Sequence, residues 1–400
     1  MGAVMSHYFA NVTLFDGRTV RSKHGVLVSG GAIEWVGAHA RAPRAARAAQ
    51  EVPGAGRTLA PGLIDCHVHL IFDGQADFEG ESKGLTPARA AIKAARNAER
   101  HLRAGVTTVR DLGGLDSVVC DVGLAIDEGL TPGPRVLAAG RALTITGGHG
   151  HNLGLAREVD SADDVRRAVR EEIKGGARVI KVIATGGVLT PGIDATFTAF
   201  TPEELTAAVD EAHTWGRGVA AHAIGAQGIL NAVIAGVDSV EHCNQVTPEI
   251  AREMKARGTF RSPTLSAILG IVGHPDEVPE YAVKKASELE AESRDGFQRA
   301  VRGGVRHVCG TDAGTPFNPH GSAPGELVSM VEWGMTPLKA MQAATANGAE
   351  LLRLPLVGTI EVGKEADLVL FDGNPVEAIE HVLSPVLVMK AGDVVPSIAD

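Results

Sequence analysis

The feature that most constrains the fold is a set of eight short apolar runs without hydrophobic–polar alternation: Leu63 to Cys66, Val106 to Val109, Val136 to Ala139, Arg178 to Ile183, Gly218 to Ala221, Val237 to Val240, Thr259 to Ser262 and His307 to Cys309. Runs of this kind suit strands buried on both faces, as in a parallel sheet. Helical stretches separate most of them: Ala88 to Ala104, Ser161 to Lys174, Pro202 to Trp215, Pro248 to Arg257 and Glu280 to Arg302. Eight strand–helix units in succession point to an α/β fold, a (β/α)8 TIM-like barrel rather than an open sheet. In such a barrel, chemistry sits at the carboxyl ends of the strands.

The ends of the chain have a different character. Tyr8 to about Ala60 is read as strands and turns, and so are Ala366 to Phe371 and Pro385 to Val395. Short strand-rich termini cannot bury a core separately, so residues 1–60 and 356–400 are expected to build one small β-sandwich domain beside a barrel of residues 61–355. A formal charge of -10, from 48 acidic and 38 basic residues, argues against nucleic acid and anionic membrane as partners. Cys66, Cys120, Cys243 and Cys309 match neither a zinc-finger spacing nor a disulfide framework. With no export signal and no membrane-length apolar run, a reduced, cytoplasmic protein is expected. Met1 to Ser6 fits a loose myristoylation pattern that is treated as chance.

If strand ends carry the chemistry, metal-ligand residue types should gather there. His67 and His69 end the first strand, their side chains on one face because they are two residues apart. Lys181 lies inside the fourth, His222 ends the fifth, His242 the sixth and Asp312 the eighth. An ammonium within Val179-Ile180-Lys181-Val182-Ile183 is costly to bury, so its pKa should fall. A neutral amine can take up carbon dioxide, and a carbamate on Lys181 would be an anionic bridge between two metal ions.

At this point the chain resembles the amidohydrolase superfamily. The matching motifs are Pro61-Gly62-Leu63-Ile64-Asp65-Cys66-His67-Val68-His69, Val240-Glu241-His242 and Gly310-Thr311-Asp312-Ala313-Gly314-Thr315-Pro316, with Ala343 to Asn347 and Gly358 to Leu368 extending the likeness towards the end. The resemblance implies His67 and His69 as ligands of a first metal and His222 and His242 of a second, with carboxylated Lys181 between them. Asp312 resembles the first-metal ligand that also acts as general base. Two divalent ions are thus the implied cofactors, with zinc the first choice from the donor set. They would lower the pKa of a shared water while one polarises the substrate carbonyl and Asp312 passes a proton to the leaving amine.

Thr146 to His151 after the third strand and Ala184 to Val188 after the fourth resemble the branch of prolidase-like dipeptidases and N-acyl amino acid hydrolases, relatives of imidazolonepropionase. The implied reaction is cleavage of the amide bond of a dipeptide, an N-acyl amino acid or a similar small carboxyamide. His149 is the candidate for contacting the substrate carbonyl or carboxylate, with His151 a weaker one. His320 is read as a pocket-mouth or helix-capping residue outside the site, and His24, His101, His213 and His274 as surface residues. Tyr281, Arg141 and Arg261 are without an assigned role. The alternative is a deaminase or cyclic-amide hydrolase of the same superfamily, acting on a nitrogen heterocycle. Those deaminases carry a glutamate three residues after the fifth-strand histidine, where this chain has Gly225. A homo-oligomer is expected by base rate and resemblance.

Overall fold

The computed structural model describes residues 6–396, so all of the Met1–Ser6 pattern except its serine lies outside the described residues. The central region is α/β, and seven of the eight expected runs form strands. Leu63–Val68, Val106–Asp111 and Arg135–Ala138 pair in parallel as a three-stranded sheet. Val179–Ile183, Gly218–Ala223, Ser239–His242 and Phe260–Ser262 continue in parallel within a six-stranded sheet, which begins with two short strands absent from the expectation, Ala156–Glu158 and Ala142–Thr144. The glycine-rich segment between that pair carries His149.

The eighth run is a correction, because residues 307–309 form no strand. His307 makes one isolated parallel bridge to Arg261, and the chain enters the left-handed region at Asp312 with φ 62°. A few backbone bonds lie where full ladders were expected: Arg178 N–H donates to Ala138 O at 2.8 Å, Arg261 N–H to Arg306 O and Val308 N–H to Arg261 O at 2.9 Å, and Cys66 N–H to Cys309 O, Asp312 N–H to His67 O and His69 N–H to Ala313 O at 2.8, 2.7 and 2.8 Å.

Several helices start at a Thr-Pro pair. Thr86, Thr201, Thr247 and Thr336 each accept a backbone N–H from the first turn, and the following proline occupies a position whose N–H has no helical partner. The helices Pro87–Arg103, Ala162–Lys174, Pro202–Thr214, Pro248–Arg257 and Glu280–Gly303 match the expected stretches to within a residue at either end. Helix Pro87–Arg103 turns Ala90, Ala94, Ala98 and Leu102 inward, and His101 is buried on the same side, which corrects its surface reading. Its Nε2 lies 2.9 Å from His320 Nδ1, and His320 Nε2 donates to Phe72 O at 2.7 Å.

The two ends of the chain meet in one eight-stranded sheet. Arg57–Pro61 pairs antiparallel with Leu368–Asp372 and parallel with His7–Phe15, linking the C-terminal strands to the N-terminal ones. Alternation decides what each face covers. Leu14, Leu59, Leu368 and Leu370 join a cluster belonging to this sheet, while Phe15, Ala60, Val369 and Phe371 pack into the same core as Leu63 and Val106.

Candidate active site

His67, His69, His149, Lys181, His222, His242 and Asp312 line one cavity. Parallel pairing explains the convergence, since Ile183 is level with His222, and Ala223 with His242, so the carboxyl ends of neighbouring strands share one rim. His67 and His242 ring centroids are 5.3 Å apart, His222 and His242 4.5 Å, and His149 and His222 4.7 Å. Asp312 Oδ1 is 3.2 Å from Nε2 of both His67 and His69. Ligand atoms of His67, His242 and Asp312 lie within 4.8 Å of one another, a spacing that one cation could bridge.

Each of the four strand-end histidines has one nitrogen engaged away from the others. His67 Nδ1 meets Glu241 Oε2 at 3.1 Å, His69 Nδ1 donates to Gly113 O at 2.9 Å and His222 Nε2 to Gly186 O at 2.7 Å. His242 Nδ1 is 2.7 Å from Thr264 Oγ1; that hydroxyl spends its proton on Pro263 O, so the imidazole is the donor. In His67, His222 and His242 the outer partner takes the proton and the other nitrogen keeps its lone pair, whereas at His69 burial lowers the pKa but the bond from Nε2 to Asp312 outweighs it and raises it, so that nitrogen shares a proton with the carboxylate. An unprotonated nitrogen is what a cation requires, and outer acceptors are what fix a ligating imidazole. The donor set therefore fits divalent metal.

Burial pulls His67, His222 and His242 well below the usual histidine range, so they are neutral. Lys181 is pushed down to about 8 by burial, a loss that Glu241 and Asp312 partly offset. Burial would raise Asp312, but His67, His69 and Lys181 outweigh it and hold the carboxyl below its ordinary value. Three residues at this site have positive φ without being glycine: His242 at 64°, Thr264 at 49° and Asp312 at 62°. Such backbone is costly and needs firm surroundings. Asp312 has them in Thr315, whose backbone N–H and hydroxyl both donate to Asp312 O.

The other candidates fall elsewhere. His151 is exposed and donates through Nδ1 to Gly148 O. His213 is exposed against Asp238, His24 is half-buried, and His274, also half-buried, stacks on Phe317. Arg141 pairs with Asp116, Arg261 is buried against His242 O, and Tyr281 donates to Leu189 O. None of these three lines the cavity, whose remaining walls are mostly apolar, with Phe78, Leu153, Leu155, Ile224, Ile268 and Leu289 beside the polar Asn244, Thr264 and Thr315.

A model of the amidohydrolase family matches residues 58–395, most of the chain and every strand-end residue above. The chain belongs to the amidohydrolase family. It is 35% identical to the ochratoxinase of Aspergillus niger over 92% of this chain and 81% of that protein. A solved Xaa-Pro dipeptidase with methionine bound in its active site superposes with TM-score 0.88 and 33% identity, over 98% of this chain and all of that one. An imidazolonepropionase of Salinispora tropica is 26% identical, covering 87% of this chain and 85% of its own. Together these make the protein a hydrolase of amide C–N bonds.

Glu241 belongs to the Val240-Glu241-His242 motif, which by itself assigns it no task. In this amidohydrolase it is fully buried, taking His67 Nδ1 on one oxygen and Arg110 at 2.8 Å on the other. Asp65 and Asp111 were also without a role. Asp65 accepts from His67 N and from the Thr311 backbone and hydroxyl, while Asp111 accepts from Leu70 N and Gly113 N. These carboxylates fasten the two chain segments that carry His67, His69 and Asp312. A carboxylate two residues before a strand-end histidine was visible in Asp65-Cys66-His67, but its partner Thr311 is 246 positions away.

Proposed function

We propose that this amidohydrolase cleaves the amide bond of N-acyl amino acids or dipeptides, with a pair of divalent metal ions, zinc first, held by His67, His69, Lys181, His222, His242 and Asp312. The observation that carries the reading is the common arrangement of four histidines, each bonded outward through one nitrogen and lining the same cavity, with Asp312 beside the inner nitrogens of His67 and His69. Lys181, buried in its strand with a depressed pKa, is suited to carry a carbamate. When bound, the ions would supply Lewis-acid polarisation of the amide carbonyl and an acidified water. Asp312, held as a carboxylate beside His67 and His69, is the residue to take a proton and return it to the departing amine. His149 supplies a neutral imidazole at the same cavity, its pKa pulled down to about 3 by burial and by Lys181.

Aliphatic walls favour an apolar acyl group or side chain on the substrate. We further infer that the parallel sheets are arcs of one (β/α)8 barrel covering residues 61–355, supported by the backbone bonds that join Arg178 to Ala138, Arg261 to Arg306 and Val308, and residues 309–313 to the first strand, and that residues 1–60 and 356–400 make the small sandwich domain. Ring deamination is disfavoured at Gly225: a Cβ there would lie 2.4 Å from Thr196 O, so no glutamate fits without moving that loop. The test is a substrate panel with metal-loaded protein. Release of amino acid from N-acyl amino acids or dipeptides, without ammonia from purines, pyrimidines or pterins, is expected; the reverse would overturn the reading.

A further inference from the structure

His149 occupies the glycine-rich segment after Ala142–Thr144, and its environment decides which nitrogen carries the proton. Its Nδ1 is 2.7 Å from Thr190 Oγ1. The same hydroxyl accepts the Gly150 backbone N–H at 3.1 Å and meets the Asn152 side-chain amide at 3.2 Å. A hydroxyl has one proton and two acceptor sites, so three neighbours at one oxygen leave only two arrangements. Either Asn152 takes the proton and His149 donates from Nδ1, or Asn152 donates and the hydroxyl proton goes to His149 Nδ1.

Asn152 distinguishes them. With its carbonyl oxygen towards Thr190, its Nδ2 is buried without a partner. Turning the amide over brings an N–H to Thr190 and moves the orphaned position from a donor to an acceptor, whose burial unpaired is better tolerated. The hydroxyl proton then belongs to His149 Nδ1, and the imidazole N–H is on Nε2. We propose that Asn152 and Thr190 are positioning residues that hold His149 as its Nε2–H tautomer, so that a neutral imidazole donates a hydrogen bond to the substrate's carbonyl oxygen.

The segment bearing Thr190 is held in place from the far side. Lys285, on helix Glu280–Gly303, donates to Gly187 O at 3.2 Å and Thr190 O at 2.7 Å, and Tyr281 donates to Leu189 O at 3.3 Å. The imidazole is pressed against Gly187, where a Cβ would come within 2.3 Å of Nε2. The tautomer matters because an Nδ1–H imidazole would offer the cavity only a lone pair, which cannot bond a carbonyl oxygen. His67, His222 and His242 are held in the opposite sense, with the lone pair left on the nitrogen away from their outer partner.

This inference rests on the amide-hydrolase reading, and the tests separate the two. Nitrogen NMR of the metal-loaded protein labelled with 15N-histidine, the His149 signal assigned by its loss in His149→Gln, reports the tautomer without any substrate. Protonated Nε2 with unprotonated Nδ1 is expected; the opposite pattern overturns the relay even if amide hydrolysis is intact. Thr190→Val, which keeps the shape and removes the hydroxyl, should lower kcat/KM about 10-fold, mainly through kcat, at unchanged metal content. Thr190→Ser should restore most of it. Valine and serine variants that both match the parent would overturn the proposal, and if the valine variant fails to fold the parent spectrum still decides. Asn152→Asp, which can only accept, should move the proton to Nδ1. A spectrum unchanged in that variant contradicts the part assigned to Asn152.

Discussion

Lys181 is the residue on which the account turns. Replacing it with alanine should lose metal and turnover together while circular dichroism still reports a folded chain, because the task proposed for it is coordination; normal turnover in Lys181→Ala would make it an ordinary strand residue. Glu241 holds His67 Nδ1, and if His67 is a ligand as proposed, Glu241→Gln should weaken metal affinity by roughly 10- to 100-fold, measured by competition with a chelator. Unchanged affinity would mean that Glu241 only satisfies Arg110. Gly187→Ala should displace the His149 ring and cost about 1–3 kcal/mol in kcat/KM without altering metal content. The ligand candidates were legible because strand ends can be counted from apolar runs and a strand repeats every two residues. Their outer partners were not. Gly113 O and Gly186 O are backbone carbonyls that leave no mark in a sequence, and Thr264 reaches His242 from 22 positions away.

At the scale of elements, the Thr-Pro pairs made helix starts readable almost to the residue, since both members act locally. Thr201 also forms a reciprocal cap with Glu204, and Thr201→Ala should cost about 1 kcal/mol, checked as a lowered midpoint in denaturant. A midpoint identical to the parent's would show that the helix is fixed by packing alone. The eighth strand was misread for a reason that is likewise local: His307 to Cys309 is apolar enough, but Gly310 follows at once and the backbone turns left-handed at Asp312. The segment still bonds Arg261 on one side and the first strand on the other, but as isolated bridges rather than a continuous ladder. Ala142–Thr144 and Ala156–Glu158 escaped notice because three residues each are too short to show a period.

Across the whole molecule, strand Leu368–Asp372 carries alternate residues into two cores, Leu368 and Leu370 into one and Val369 and Phe371 into the other. Arg135 adds a polar tie, bonding Thr108 at 2.9 Å and Asp367 at 3.1 Å. That shared packing predicts that Leu370→Ala, at roughly 2–5 kcal/mol, lowers the stability of the terminal sheet and the catalytic region in one transition seen alike by ellipticity and activity. Among the described residues no helix is long and apolar enough to cross a membrane, and the four cysteines are buried and free. What unites the residues, elements and fold is one cavity lined by four histidines, Lys181 and Asp312, the site proposed to hold metal. Elemental analysis of the purified chain, paired with turnover of an N-acyl amino acid as metal is added back, tests this most directly. About two divalent ions per chain, with activity following occupancy, is the predicted result; a single tightly held ion, with no gain of activity when more is supplied, would contradict it.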